Sequence, residues 1–294
     1  MLQGSFPALV TPFRDEAFDE RAYRSFVEWQ IAEGSHGLVP CGTTGESATL
    51  RPDEHRRAIE ICVELAGGRV PVIAGCGSND TAHAIALTRA AKAAGADAAL
   101  HVPPYYNRPN QEGVYAHLAA IAEAVDLAVV LYNVPSRTIT DISVETMARL
   151  VGIANVVAVK DATGNLARVT AQPVACGEDF VQLSRNDDMA LGFMAMGGKG
   201  CISVTANVAP RLCAAFQNAC LSGDWRSALT LQDKLYPLHA ALFTDASPGP
   251  VKYAVNKLRT DFPADLRLPM TPPSEASRSA VEAALQHAGV GLVS

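Results

Sequence analysis

Lysine is scarce in this sequence, supplying only six of the 24 basic residues in a chain of 294. The chain also lacks any run of about 18 uninterrupted apolar residues, so we expect no membrane-spanning helix. Its N-terminal stretch MLQGSFPALVTPF has no basic start, which argues against a signal peptide. The net charge of −6 and the lack of a basic stripe argue against nucleic acid as a partner.

Several short chemical signatures are missing as well. None of the seven cysteines forms a C-x-x-C pair, which indicates reduced, mostly buried thiols and a cytoplasmic chain. The seven histidines show neither H-x-H nor H-E-x-x-H spacing, so we expect no catalytic metal. No G-x-G-x-x-G follows the first apolar run and no G-x-S-x-G elbow occurs, which argues against a dinucleotide-binding fold and a serine hydrolase.

Short apolar runs alternate with longer amphipathic stretches along most of the chain. Eight such runs have the length of strands: 7–10, 37–40, 71–75, 98–102, 128–133, 156–160, 180–184 and 200–204. Strands that are apolar on both faces are typical of parallel sheets covered by helices. We therefore predict an α/β fold, a (β/α)8 TIM barrel, with an open doubly wound sheet as the alternative. Only helical patterns follow Pro210, which predicts a barrel domain at residues 1–209 and a C-terminal helical region at residues 210–294.

One lysine, Lys160, ends a predicted strand in the run VVAVK. In a TIM barrel the active site lies at the carboxyl ends of the strands. An apolar setting there lowers the pKa of a lysine and leaves a neutral amine, which can attack a ketone and form a Schiff base. The alternative is a lysine whose ammonium reaches solvent at the barrel mouth.

Two other strand ends carry polar groups that suit a carboxylate substrate. The turn CGTTGES (41–47) offers backbone amides and the hydroxyls of Thr43 and Thr44, although an ordinary glycine-rich turn braced by Glu46 is the alternative. In YNVPSRT (132–138), Tyr132 is placed to exchange protons near the lysine. The guanidinium of Arg137 can bind a second carboxylate through two hydrogen bonds. A buried tyrosine and a surface arginine would give the same pattern.

The motifs GTTGES, PYYNRP, YNVPSRT, VKDATGN and ISVTAN resemble, in order and spacing, those of the pyruvate-dependent class I aldolases, and within them the dihydrodipicolinate synthase family. The resemblance extends over essentially the whole chain. It implies a homotetrameric cytoplasmic enzyme of lysine and diaminopimelate biosynthesis. Such enzymes condense pyruvate with L-aspartate 4-semialdehyde and need no organic cofactor.

The resemblance also implies roles for individual residues. Lys160 matches the lysine that forms the Schiff base with pyruvate. Thr43 and Tyr132 match two members of a proton relay. Tyr106 matches the third member, which comes from a neighbouring subunit. Tyr105 and Tyr106 are adjacent and cannot point the same way, so one could serve the pocket and the other a neighbouring subunit, and packing at an interface is the alternative.

Further positions match groups that hold the substrates. The turn of Thr43 and Thr44 matches the site of the pyruvate carboxylate, and Arg137 matches the arginine that holds the carboxylate of the semialdehyde. Ile202 matches a residue whose backbone faces the bound substrate. One position departs from the family, because Arg185 stands in LSRND where glycine is expected; its side chain could crowd the pocket mouth or point to solvent.

Two other functions remain open from the sequence. A related lyase that acts on N-acetylneuraminate or a 2-keto-3-deoxy sugar acid would share the lysine and the first tyrosine. Arg137 and the YYNRP loop disfavour it, because a sugar acid requires groups that bind hydroxyls. A catalytically silent barrel that senses a small molecule is the other alternative, and the complete set of lysine, tyrosine and threonine disfavours it.

Many members of the family bind free lysine as an inhibitor at a subunit interface. Five positions of this chain match that site: Ser47, Ala48, His55, Asn79 and Tyr105. Two positions depart from it. Pro52 stands where histidine is frequent, and His83 stands where a glutamate receives the ammonium of the inhibitor. We therefore expect weak inhibition by lysine or none.

Overall fold

The computed structural model describes residues 2–291; Met1 and residues 292–294, at the outer ends of the two predicted domains, lie outside the described part. The described residues form nine strands: β1 (Gly4–Pro7), β2 (Phe13–Arg14), β3 (Ala17–Phe18), β4 (Ile73–Gly75), β5 (Ala98–His101), β6 (Ala128–Asn133), β7 (Val156–Asp161), β8 (Val181–Ser184) and β9 (Gly200–Ser203). They also form twelve α-helices: α1 (Glu20–Ala32), α2 (Pro52–Ala66), α3 (Thr81–Ala94), α4 (Gln111–Ala124), α5 (Pro135–Thr138), α6 (Val144–Val151), α7 (Ala167–Cys176), α8 (Ala190–Ala195), α9 (Pro210–Ser222), α10 (Trp225–Ala241), α11 (Gly249–Leu258) and α12 (Glu275–Ala288).

Seven of these strands form one parallel sheet, in the order β1–β9–β8–β7–β6–β5–β4. The sheet closes on itself through an eighth segment, in which Val39 is bridged to Ala8 and Leu38 is bridged to Val72. Closure removes the open edges that a doubly wound sheet would have. The predicted (β/α)8 TIM barrel is therefore confirmed, and the open sheet is excluded.

Only the predicted run 128–133 keeps its bounds; the others differ in extent, two of them in the ways described next. The run 37–40 pairs only at residues 38 and 39, because Pro40 has no amide hydrogen with which to extend the ladder. The first strand begins at Gly4, three residues earlier than predicted, and Gly4 lies opposite Gly200 in the pairing of β1 with β9. The two backbones approach so closely that a Cβ on Gly200 would lie 2.4 Å from the Gly4 carbonyl oxygen.

A short antiparallel hairpin of β2 and β3 is present that the sequence did not predict. Its turn residues Asp15 and Glu16 have φ of 50° and 63°, in the left-handed region that hairpin turns usually fill with glycine or asparagine. The usual turn signal is therefore missing from the sequence. The hairpin places Phe13, which is buried, beside the C-terminal part of the chain.

The barrel interior is packed with apolar side chains from every part of the sheet: Phe6, Val39, Ile73, Leu100, Val130, Ala158, Leu183 and Ile202. A larger apolar cluster lies between the strands and the surrounding helices. Capping side chains fix where helices start; the Asp80 carboxylate, for example, accepts a hydrogen bond from Ala82 N at 2.9 Å and α3 begins there. The strands therefore form a rigid frame for the side chains at their carboxyl ends.

The helices after β9 form a layer against one side of the barrel. Helix α9 packs against β1, at the place of the helix that follows the eighth strand, while α10 packs on α9 and α12 and α11 packs on α12. The division of the chain at residues 209 and 210 stays a prediction. No helix within residues 2–291 combines the length and the hydrophobicity that crossing a membrane requires.

Candidate active site

Lys160 and Tyr132 lie side by side at the carboxyl ends of two neighbouring strands. They are partners in the register of β7 with β6, and the Lys160 Nζ lies 4.1 Å from the centroid of the Tyr132 ring. Both side chains are buried, at 5% and 4% exposure. The β-branched run before the lysine forms the strand, and the strand carries the lysine into the barrel mouth.

Burial and neighbouring charges set the protonation of this pair. Burial lowers the pKa of Lys160, and the charge of Arg185 lowers it further, so the pKa lies below that of a free lysine although Tyr132 opposes the shift. Burial alone would raise the pKa of Tyr132, but the cations Lys160, Arg185 and Arg137 outweigh burial and lower it. The site thus makes the amine easier to deprotonate than that of a free lysine, and the phenol easier to ionise than that of a free tyrosine.

The residues that follow the pair in sequence hold the two strand ends from behind. Side chains alternate between the faces of a strand, so Asn133 and Asp161 point away from the barrel mouth. The Asn133 amide donates to Asp141 at 2.6 Å, and the Gln172 amide donates to Asp161 at 3.0 Å. Arg168 forms ion pairs with Asp141 and Asp161, both at 3.3 Å. This polar layer fixes where Tyr132 and Lys160 project.

The turn that contains Thr43 and Thr44 is tightly folded. The Thr11 hydroxyl donates to the Gly45 carbonyl at 2.8 Å, and the Glu46 amide donates to the Thr43 carbonyl at 3.1 Å. The hydrogen bonds within the turn are donated by residues 45–47, and the amides of Thr43 and Thr44 are not among the donors. Thr43 is exposed and Thr44 is buried. These amides and hydroxyls can therefore donate hydrogen bonds to a carboxylate.

A cavity of about 450 Å³ opens at this end of the barrel. Three predicted site residues line it: Thr43, Tyr132 and Arg137. Side chains of the predicted lysine-binding region line it too: Ser47, Ala48, Pro52, His55, His83 and Tyr105. The C-terminal part closes another side through Ser247, Pro248, Pro269 and Met270. The cavity is thus walled by residues from both predicted domains.

Three predicted residues take different positions around the cavity. Arg137 is exposed, on the short helix α5, and lines the cavity. Ile202 is fully buried on β9 and packs in the same apolar cluster as Tyr132. Tyr106 is 95% exposed, with φ of 69°, and does not line the cavity of its own chain. Thr43, Tyr132 and Arg137 thus line one cavity, Lys160 and Ile202 pack beside Tyr132, and Tyr106 stands apart from them.

Two cations near the site, Arg185 and Lys252, were not assigned a role from the sequence. The role of Arg185 was left open, and Lys252 was not singled out. The guanidinium of Arg185 is half-buried, with its Cζ 4.6 Å from the centroid of the Phe243 ring, and lies near enough to Tyr132 to lower the pKa of its phenol. In the sequence, Arg185 was noticed only because it stands where the family motif has glycine. Lys252 is fully buried against Glu46; it lies in a helix-like pattern, and no local feature distinguishes it from a surface lysine.

A family model described as the dihydrodipicolinate synthetase family matches residues 1–288. The 4-hydroxy-tetrahydrodipicolinate synthase of Rhizorhabdus wittichii is 67% identical over 290 residues, which cover 99% of this chain and 100% of the relative. The protein of the same name from Sphingopyxis alaskensis is 60% identical over 290 residues, with the same coverage of both chains.

Solved structures are similar over their full length as well. The chloride-inhibited dihydrodipicolinate synthase from Acinetobacter baumannii, complexed with pyruvate, is 44% identical with a TM-score of 0.96, covering 99% of this chain and 100% of that one. The enzyme from Cyanidioschyzon merolae with lysine bound is 33% identical with a TM-score of 0.94, covering 98% of each chain. On the match of the family model and on these identities along the whole length, the chain belongs to the dihydrodipicolinate synthetase family.

Proposed function

We propose that this enzyme condenses pyruvate with L-aspartate 4-semialdehyde, through a Schiff base on Lys160, to give 4-hydroxy-tetrahydrodipicolinate for lysine and diaminopimelate biosynthesis. Membership of the family and relatives of that name support the reaction. The observation that carries the assignment to residues is the buried pair of Lys160 and Tyr132, with Nζ 4.1 Å from the ring centroid. A neutral amine beside a phenol is the arrangement that imine formation requires.

The reaction begins at the lysine. The Lys160 amine attacks the ketone carbon of pyruvate and gives a carbinolamine, and a proton from Tyr132 lets its hydroxyl leave as water, which forms the imine. Loss of a proton from the methyl group then gives an enamine. The enamine carbon bonds to the aldehyde carbon of the semialdehyde as the C=O π bond of the aldehyde opens, its oxygen takes up a proton to become the 4-hydroxyl, and the imine to Lys160 is restored. Finally, the amino group of the semialdehyde displaces Lys160 from the imine carbon and closes a six-membered ring.

The other residues hold the substrates and move protons. Thr43 and Thr44 present amides and hydroxyls to the pyruvate carboxylate, and Arg137 pairs with the carboxylate of the semialdehyde at the cavity mouth. The backbone of Ile202, on β9, is proposed to face the bound substrate. Thr43 also links Tyr132 to Tyr106 in the proton relay. Because the lysine itself activates the ketone, the reaction needs no organic cofactor and no metal.

Tyr106 supports an oligomeric enzyme. Its side chain is almost fully exposed, and its left-handed backbone is uncommon for a residue other than glycine, asparagine or aspartate. By the family resemblance, an exposed phenol on this loop would enter the cavity of a second copy of the chain. We therefore propose a homotetramer in which neighbouring subunits exchange Tyr106. Seven free cysteines support a cytoplasmic location, where thiols stay reduced.

A coupled assay tests the reaction. The enzyme should turn over pyruvate together with L-aspartate 4-semialdehyde, and it should leave N-acetylneuraminate and 2-keto-3-deoxy sugar acids unchanged. The Lys160→Ala variant is the control and should be inactive. Cleavage of a sugar acid in place of the condensation would support the related lyase, and binding of pyruvate without turnover of any of these substrates would support the sensor.

A further inference from the structure

A buried ion pair ties the Thr43–Thr44 turn to the C-terminal helices. Lys252, in α11, is fully buried, and its Nζ lies 2.8 Å from the Oε1 of Glu46, whose side chain is 2% exposed. The same ammonium donates to the carbonyl of Asp265. Glu46 and Lys252 are 206 residues apart in the sequence. The pair thus joins two distant segments at the edge of the cavity.

Arg267 makes a second connection between the same segments. Its guanidinium donates to both carboxylate oxygens of Glu54, at 2.6 and 2.7 Å, and to the Thr49 carbonyl at 2.8 Å. Its backbone amide donates to the Oε2 of Glu46 at 3.2 Å. The end of the turn and the start of α2 are therefore held by one C-terminal residue.

Stability alone does not account for the ion pair of Glu46 and Lys252. Desolvating a carboxylate and an ammonium costs several kcal/mol for each ion, and replacing such a pair by apolar side chains is often neutral or stabilising. Phe13 covers both cations and keeps water away, with its ring centroid 4.4 Å from the Lys252 Nζ and 4.1 Å from the Arg267 Cζ. Because the pair is costly to bury, a geometric role explains its presence better than a gain in stability.

The backbone of Glu46 supplies that role. Its φ of 55° lies in the left-handed region, which costs a residue other than glycine about 1–3 kcal/mol unless the surroundings hold it there. Both carboxylate oxygens of Glu46 are held, one by Lys252 and the other by the Arg267 amide. The Glu46 amide in turn donates to the Thr43 carbonyl at 3.1 Å. A shift of the Glu46 side chain is thereby transmitted to Thr43.

We propose that Lys252 and Arg267 are positioning residues, which act through Glu46 to hold the Thr43–Thr44 turn in the shape that binds the carboxylate of the keto-acid substrate. The inference rests on the proposed function, because it takes this turn as the pyruvate carboxylate site. Neither cation contacts the substrate. The C-terminal helical region is then part of the pyruvate site, although no residue of it carries out chemistry.

The test replaces the ion pair as a unit, in the double variant Glu46→Leu with Lys252→Met. No unpaired charge is left, so we expect a melting temperature near that of the wild type. The turn loses its anchor, and misplacement of a positioned group by about 1 Å costs on the order of 100-fold. We expect the KM for pyruvate to rise about 10-fold or more, and the KM for the semialdehyde to change much less.

The matched control is Lys257→Met. Lys257 lies in α11 like Lys252, but its ion pair with Glu282 is exposed. Its loss should leave the KM values for pyruvate and for the semialdehyde unchanged. A folded double variant with the wild-type KM for pyruvate would overturn the proposal. If the double variant does not fold, the isosteric Glu46→Gln replaces it, and an unchanged KM for pyruvate there overturns the proposal as well. Failure of the wild type to form an imine with pyruvate would instead overturn the proposed function.

Discussion

Lys160 and Tyr132 face each other across the pairing of β7 with β6, and the ammonium nitrogen of one lies over the ring of the other. Each changes the protonation of its partner, since the cation lowers the pKa of the phenol and the phenol opposes the lowering of the pKa of the lysine. The proposed nucleophilic amine and the proposed proton donor thus lie side by side at the barrel mouth.

Lys160 should be the only lysine that forms an imine with pyruvate. Lys252 is equally buried, but its ammonium is paired with Glu46 and bonded to the Asp265 carbonyl. Treatment with borohydride and pyruvate should add one reduced pyruvyl group to the peptide that contains Lys160, as measured by mass spectrometry. Lys199→Arg, a matched control at another position, should label like the wild type. Label on any other peptide would contradict the assignment.

Tyr106→Phe should lower kcat by about 10²–10⁴-fold, the usual value of a positioned proton transfer, without lowering the melting temperature. Tyr236→Phe removes a hydroxyl from another exposed tyrosine and should keep full activity. Hybrids of Tyr106→Phe and Lys160→Ala subunits should regain activity, because one site of each mixed pair has both residues intact. Mixed oligomers that stay inactive would argue against a shared site.

Arg185→Gly should raise the KM for the semialdehyde more than that for pyruvate, because the guanidinium over Phe243 lies near Tyr132, while pyruvate is proposed to bind deeper in the site. Removal of this cation should also raise the pKa of Tyr132, since Arg185 lowers it in the wild type. The alkaline limb of the pH–rate profile should therefore move to higher pH. Arg226→Gly, at an exposed position on α10, is the control. Identical kinetics and pH profiles would show that Arg185 has no role in the site.

Free lysine should inhibit this enzyme weakly. His83 lines the cavity where sensitive relatives have a glutamate, and loss of one charge-assisted hydrogen bond costs about 1.5–3 kcal/mol, or roughly 10–100-fold in affinity. The neighbouring His55 carries no negative charge in either protonation state, so it cannot replace the glutamate. His83→Glu should strengthen the inhibition, and His83→Gln should not. Submillimolar inhibition of the wild type at pH 8 would refute this expectation.

Stability should fall in mild acid because several histidines are buried in the neutral form. Burial lowers the pKa of His101 to about 3, whereas an unfolded histidine takes up a proton near pH 6.5. The unfolded state therefore binds more protons below pH 6.5, and His101 removes about 1.4 kcal/mol of stability per pH unit between pH 6.5 and its own low pKa. Burial lowers the pKa of three more histidines: His55, His117 and His239.

Urea unfolding at pH 7.0 and 5.5 measures this loss. His101→Gln should make the free energy of unfolding less dependent on pH, because the buried imidazole is gone. His287→Gln, at an exposed position on α12, should keep the dependence of the wild type. Equal dependence in both variants would mean that His101 is not the source of the acid sensitivity.

Local sequence pattern is enough to predict the central part of the site. A strand ends where an apolar run ends, and in a closed barrel all strand ends meet at one face, so the pattern alone groups Lys160, Tyr132 and Thr43. The same reasoning fails for Lys252, because its burial depends on Glu46 and Asp265, which are distant in the sequence or outside its helix. Periodicity shows which face of a helix is apolar, but it does not show which distant segments pack against that helix.

The remaining differences have equally local causes. The hairpin at residues 13–18 was missed because its turn is made of Asp15 and Glu16, both in the left-handed region without glycine. The pairing at residues 38 and 39 is shorter than predicted because Pro40 has no amide hydrogen. The predicted run included Pro40 because its side chain is apolar. Tyr106 could be assigned to a neighbouring subunit only through the family resemblance, because no physical rule connects an exposed loop to a second chain.

The contact between Glu46 and Lys252 also has a consequence for the growing polypeptide. The N-terminal part of a chain leaves the ribosome first, and domains generally fold as they emerge. Here the anchor of the Thr43–Thr44 turn is made 206 residues after the turn itself, and Arg267 follows later still. A nascent chain would therefore carry Lys160, Tyr132 and Thr43 before it has the anchor that, by our proposal, holds the turn in shape. The full affinity for a keto acid would be reached only when translation is nearly finished.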